Sequence, residues 1–429
     1  MTRGPRTAEV IAVGSELLGS TRLDTNSLFI ARTLAGLGIQ LQAKAVVGDD
    51  RNLLRDLFTL AIGRSDVVLL SGGLGPTDDD LTREAVSDAL NLRMHEDESI
   101  TASIRERFER RGLVMPGINR KQALVPSGAA ALANPHGSAP GLFITVGEKV
   151  AVLLPGPPRE LQPMLKALCE PDGLLGARAG QERLHTVSLF TTGLSESHVE
   201  TIVQPLYAPL KDRHDSIETT ILATPGQVEL HLTMRSADAA GAQRILGEAR
   251  GALMDALGAC VFSTDGRLLP QVVGDMLRER GLTLAAAESC TGGLLLTRMT
   301  EVAGSSAYVR GGVVAYSNEL KTALLGVGPE VIATHGAVSE ATAAAMVDGA
   351  HERTHADVCV AITGVAGPTG GTETKPVGTV VIALRVAGQP LSVRTHLLPG
   401  SRDIVRFQAT QTAIEGIRRI LLGSAATRP

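Results

Sequence analysis

Residues 66–80 read DVVLLSGGLGPTDDD, and the fold class of the first half of the chain turns on them. Residues 67–70 form a continuous apolar run without the alternation of a strand that has one wet face. Such a strand is covered on both sides, as in parallel sheets with helices above and below. The run ends in Ser71-Gly72-Gly73, where glycine lets the backbone turn sharply and approach a ligand closely. Working outward, a strand pattern at 9–13 precedes an amphipathic stretch at 24–38. A second strand at 40–47 leads through Gly48-Asp49-Asp50 into a helix, and KVAVLLPG (149–156) precedes another. Repeated strand–helix–strand units predict an α/β, doubly wound, mostly parallel sheet that binds ligands beyond the carboxyl ends of its strands.

The texture changes at about residue 184. HTVSLFTTG and QVELHLTMRS alternate as antiparallel strands do, Pro225-Gly226 marks a turn, and residues 237–257 read as a helix, so a small α+β module is expected. From about residue 264 a second α/β pattern begins. LTLAAA enters ESCTGG, and GGVVAYS, ADVCVAITG and PVGTVVIAL are further strands. Ser339 and Ser401 are candidate N-caps of the helices that follow them. The expected domains are 1–175, 176–263 and 264–429.

A chain of 429 residues exceeds what one core usually serves. Its net charge of −4 and 2% aromatic content, with no Trp, argue against a basic face built for phosphate backbones and leave few stacking platforms, while a local basic patch stays open. No direct nucleic-acid partner is expected. The 4 cysteines include no CxxC pair, which points away from zinc and disulfides and toward reduced thiols in a cytoplasm. The first apolar stretch is too short for a signal peptide, and no 18-residue apolar run marks a membrane span. The expected location is cytoplasmic.

Ser289 ends an apolar strand and is followed by Thr291-Gly292-Gly293 and a helix. Glycines permit close approach, and helix N-terminal N–H groups suit an oxyanion or a phosphate. Taken alone, Ser289 and Thr291 can simply cap that helix. YSNELK adds Tyr316 at a strand end, Asn318, and Lys321 in the first turns of a helix. A serine needs a base to become a nucleophile, and a lysine of lowered pKa supplies one. Thr363 closes a strand before a run with glycines at 364, 367, 370, 371 and 378, which is either a loop against a ligand or a flexible surface hairpin.

In the first half, Gly72, Gly73 and Gly75 permit a backbone nest for phosphate, and Thr77 adds a hydroxyl. Asp78, Asp79 and Asp80 stand near a helix start, where they either complement its dipole or hold a divalent cation.

AAAESCTGG, YSNELK, GAVSE, TGVAGPTGGTETKPVGTV and FQATQTAIEGI resemble, in order, the C-terminal domain of the competence/damage-inducible CinA family. GSELL, DTN, VVGDD, NPHGSAPG and LLPGPPRE resemble that family's N-terminal domain, which has a molybdenum-cofactor-biosynthesis-like fold. The resemblance implies a C-terminal nicotinamide-nucleotide amidase, without a cofactor, that converts nicotinamide mononucleotide to nicotinic acid mononucleotide and ammonia. Ser289 would be its nucleophile and Lys321 the base, with Tyr316 and Thr363 orienting the amide. Glu288, Thr291, Gly292, Gly293, Asn318, Gly364 and Gly367 would line the substrate, and Arg402 and Arg406 would reach its phosphate. The N-terminal domain would be a divalent-cation-dependent ADP-ribose pyrophosphatase. There Asp49, Asp78 and Asp80 would hold Mg²⁺ or a similar ion, and Ser138 and Gly141 would shape the opposite wall. A KH-like middle module and a homodimer are also implied. A pterin nucleotidyltransferase, or a non-catalytic partner in competence, is the alternative.

Overall fold

A computed structural model describes residues 4–20, 22–212 and 216–423. The chain divides into two compact units, residues 1–185 with 234–243, and residues 186–233 with 244–429.

In the first unit a six-stranded sheet runs in the order Gln40–Val47, Thr7–Val13, Val67–Ser71, Lys149–Leu154, Gly141–Val146, Ala130–Leu132. The first four strands are parallel; Gly141–Val146 runs against them, and Ala130–Leu132 pairs antiparallel with Gly141–Val146. Val67–Ser71 is central and buried at every residue, as its unbroken apolar run requires. Side chains alternate across the pleat, so Val68 and Leu70 pack with Leu54 and Phe58 of the helix Arg51–Arg64. Val67 and Leu69 face the other layer, with Ile30 and Leu34 of Asn26–Gly36 and Leu161 and Leu165 of Pro158–Cys169. The doubly wound α/β expectation holds. The antiparallel strands at 130–132 and 141–146 complete the sheet on one side.

The second unit has a five-stranded sheet ordered Val309–Val314, Leu284–Glu288, Val358–Gly364, Thr379–Val386, Ser392–Leu397, with the first three parallel. Leu284–Glu288 reads LAAAE and is buried throughout. Its small side chains let helices pack closely on both faces: Leu269–Glu279 and Arg402–Leu421 on one, Glu340–Thr354 on the other. A separate four-stranded sheet contains Arg183–Thr191 and Gln227–Ser236, and in the latter the buried residues alternate (Leu230, Leu232) as the sequence does. Ser339 caps its helix by accepting from the Thr342 N–H at 3.2 Å. Ser401 holds the N-cap position, yet its hydroxyl bonds the Asp403 carboxylate instead of the helix backbone. Among the described residues no helix is long and apolar enough to cross a membrane.

Candidate functional site

In the second unit the parallel strands end together: Glu288 is in register with Val314 and with Ile362. The chain leaves the central strand at Ser289, whose N–H donates to Ile362 O at 2.9 Å, and the turn closes with Gly292 N–H to Ser289 O at 3.0 Å. Gly292 and Gly293 have φ of +60° and +93°, a region that favours residues without a Cβ. Ser289 is 7% exposed, and its hydroxyl has no hydrogen-bond partner among the described residues.

Glu288 corrects the sequence expectation. It is fully buried, and its carboxylate accepts from Gly293 N at 2.9 Å, Leu295 N at 3.1 Å and Leu296 N at 2.9 Å. It therefore caps the helix Leu294–Thr300 by neutralising free N–H groups at the positive end of the dipole. With every oxygen committed, Glu288 is a structural anchor and not a substrate contact. The Gly292 and Gly293 N–H groups expected for an oxyanion are likewise taken, by Ser289 O and by Glu288. The Thr291 N–H, in the same turn, has no partner among the described residues, whereas the Cys290 N–H is turned toward its own thiol.

Ser317 caps the helix Asn318–Leu325, accepting from Leu320 N at 3.3 Å, and Lys321 follows in its first turn. Lys321 is 2% exposed, and its ammonium donates to Tyr316 O at 3.3 Å. The direct Lys321–Ser289 hydrogen bond implied by a nucleophile–base pair is not formed. Both groups stand at the same sheet edge, however, since Ala315 N donates to Glu288 O at 2.9 Å just ahead of the Lys321 helix. Burial pushes the Lys321 amine below its ordinary value, partly offset by Cys290 and Glu319. No carboxylate lies within ion-pair distance of it among the described residues. Cys290 is a neighbour that sequence reasoning passed over. Burial pushes its thiol up to about 11, and Arg402 and Arg406 act in the opposite sense. Only its place beside Ser289 could have flagged it.

Both arginines come from the first turns of Arg402–Leu421. Arg406 donates to Thr291 O through Nη2 at 2.6 Å and Nε at 3.3 Å. Arg402 donates to the Tyr316 hydroxyl at 2.7 Å and to Gly367 O at 2.9 Å. The structure thus brings Ser289, Thr291, Tyr316, Lys321, Gly367, Arg402 and Arg406 to one edge. Thr291 Oγ1 is buried there without a partner. Thr363 is buried and donates its hydroxyl proton to Ala337 O at 2.8 Å, so toward a ligand it can only accept. Gly364 pairs with Val380, and a Cβ there would meet Thr379 O at 2.8 Å. The glycine-rich run is thus the connection of an antiparallel hairpin, pinned by Arg402 and by Lys375 Nζ to His335 O at 3.0 Å. Asn318 is exposed and makes no side-chain hydrogen bond among the described residues.

In the first unit a cavity of about 340 Å³ opens where Thr7–Val13, Val67–Ser71 and Lys149–Leu154 end. Gly72, Gly73, Gly75, Thr77, Asp49, Asp80 and Ser138 line it, as expected, together with Glu16, Asp79 and Glu160. Gly72 has φ +108°, and a Cβ there would lie 2.2 Å from Val13 O, so the close approach requires glycine. Asp78 is a correction: it is exposed and outside the lining, which Asp79 joins instead. Gly141 lies within its strand and outside the lining. The Asp80 carboxylate folds the loop, accepting from Thr77 N at 2.9 Å and Thr77 Oγ1 at 2.5 Å. Asp49 is tied to Ser15 N at 2.9 Å. Among the described residues no three His, Cys, Asp or Glu side chains gather as a metal cage. The residues fit a cation of the kind that keeps most ligands from water and a diphosphate and takes one or two carboxylates from protein. Arg83, which the sequence did not mark, is fully buried behind the glycine loop. It donates to Leu74 O at 2.6 Å, and burial brings its pKa down to about 10.

Each unit therefore has a glycine-walled site at the carboxyl end of a parallel sheet, the position where α/β proteins bind nucleotides. Residues 9–173 match the family profile described as "Probable molybdopterin binding domain", and residues 267–421 match "CinA C-terminal domain". A CinA-like protein of Koribacter versatilis (strain Ellin345) is 45% identical over 421 residues, 97% of this chain and 100% of the relative. A CinA-like protein of Solibacter usitatus (strain Ellin6076) is 40% identical over 420 residues, 98% of this chain and 99% of the relative. The crystal structure of competence/damage inducible protein CihA from Agrobacterium tumefaciens is 40% identical, covering 36% of this chain and 93% of that one with a TM-score of 0.35. The chain belongs to the CinA family.

Proposed function

We propose that the C-terminal site hydrolyses the ring carboxamide of nicotinamide mononucleotide, giving nicotinic acid mononucleotide and ammonia. The observation that carries this reading is Lys321: an almost fully buried amine without a counter-ion, its pKa held down, at the edge that bears a free serine hydroxyl. A lysine in that state is a base.

The neutral Lys321 amine removes the Ser289 proton as Oγ bonds to the carboxamide carbon. The carbonyl electron pair moves onto oxygen, where the N–H group of Thr291 is the available donor. The Lys321 ammonium returns its proton to nitrogen, the C–N bond breaks, and ammonia leaves an acyl-serine. Water, deprotonated by the same amine, then releases the carboxylate and restores Ser289. Thr363, able only to accept, suits the amide NH₂, and Arg402 and Arg406 suit the nucleotide phosphate. Chromatography of nucleotide products after incubating the full chain with nicotinamide mononucleotide tests this. Unchanged substrate would defeat it.

For the N-terminal site the reading is splitting of ADP-ribose with a divalent cation, supported by acids facing a glycine nest in one cavity. Asp49 and Asp80 would hold the cation, whose chemistry is neutralising charge on the diphosphate. AMP formation from ADP-ribose distinguishes this from pterin nucleotidyl transfer.

A further inference from the structure

Two more cavities adjoin the glycine-loop pocket, and Ser138 borders all three. One, of about 180 Å³, shares Glu160 with that pocket and is lined by Arg107, Arg111 and Arg159. The next, of about 460 Å³, lies between the helix Glu98–Glu109 and the segment 131–140, with Arg107 and Arg110 in its wall. The charge changes sign along this path. The glycine-loop pocket holds Glu16, Asp49, Asp79 and Asp80, and the two neighbours hold the arginines.

Those arginines are weakly engaged. Arg107 makes one long bond, to Pro135 O at 3.4 Å, and no ion pair among the described residues. Arg111 has neither among them. Arg110 and Arg159 stand 3.8 Å and 3.9 Å from Glu106 and Glu160. Among the described residues none of the four makes a bidentate fork contact, and the two ion pairs are long and solvent-exposed on the arginine side. Guanidinium groups match phosphate oxygens in pairs and are less strongly hydrated than ammonium, so they bind phosphate in wet grooves.

We infer that these basic cavities bind a second, separate phosphate of a nucleotide whose first phosphate group occupies the glycine-loop pocket. The N-terminal site thereby selects nucleotides phosphorylated at two positions over singly phosphorylated ones. The inference rests on the reading of the glycine-loop pocket as a nucleotide site.

Titration calorimetry of the full chain with AMP and with adenosine 2′,5′-bisphosphate tests it, on the parent and on the double variant Arg107→Ala, Arg111→Ala. The bisphosphate should bind the parent about tenfold tighter than AMP, the gain typical of one charge-assisted contact. That preference should vanish in the variant, with AMP binding and ADP-ribose turnover unchanged. Equal affinity for both nucleotides in the parent, or a preference that survives in the variant, overturns the inference while leaving ADP-ribose turnover standing. If neither nucleotide binds and ADP-ribose is not turned over, the reading of the pocket fails and the inference with it.

Discussion

The guanidinium of Arg402 donates to the Tyr316 hydroxyl over 2.7 Å, and its other terminal nitrogen reaches Gly367 O at 2.9 Å. One side chain from the last helix thus holds the glycine loop and the Tyr316 loop together. Lysine has no planar fork to reach both. Arg402→Lys should reduce kcat/KM for nicotinamide mononucleotide about 10- to 100-fold, as for loss of one or two charge-assisted bonds. Tyr316→Phe keeps the Gly367 contact and should lose about tenfold or less. Steady-state kinetics of both variants decides. Equal effects would mean that Tyr316, and not the bridge, matters.

Glu288 caps three N–H groups from complete burial, so its removal is a stability event. Glu288→Ala leaves those donors unpaired and opens a cavity, with an expected cost of about 3 kcal/mol. Thermal unfolding should show a lowered Tm together with lost amidase activity. A raised KM at unchanged Tm would instead indicate a substrate contact.

Lys321 predicts a pH dependence with a definite sign. Its pKa is lowered in the folded chain, so the unfolded chain binds more protons between the two values. The destabilising effect is complete below the folded pKa and fades as pH rises toward the unfolded one. Lys321→Met removes that effect. It should match or exceed the parent in Tm at neutral pH while losing amidase activity. Parent kcat/KM should rise with pH through an inflection below the ordinary lysine value of 10.5. A flat profile would argue against a lysine base.

The N-terminal acids divide by geometry. Asp80→Asn weakens the Thr77 loop and an acid wall of the pocket, whereas Asp78 is exposed and outside it. AMP formation from ADP-ribose should fall at least about tenfold in Asp80→Asn, with a raised requirement for divalent cation, and change little in Asp78→Asn. Similar losses in both would restore Asp78 to the site.

What the sequence made legible was mostly periodic or required by backbone geometry. The unbroken run at 67–70 identified a strand covered on both faces, and Gly72 and Gly73 marked the close turn after it. The serine turn and the lysine helix could be named because each ends or begins a recognisable element, whereas the two arginines were named only through the family resemblance. Which partner a buried polar group finds is set by tertiary contacts between distant segments, and no local pattern encodes it. Glu288 turned onto the helix that follows its strand, Asp80 onto Thr77, and Thr363 onto Ala337. For the same reason Arg83 and the groove arginines were missed: on their helices and at a helix end they read as ordinary solvated charges.

The central claim is that Ser289 is the atom that attacks. Ammonia release from nicotinamide mononucleotide by the full chain, compared with Ser289→Ala at matched Tm, tests it most directly. The account predicts steady release by the parent and a loss of about a thousandfold or more in the variant. Near-parent release by Ser289→Ala would contradict it.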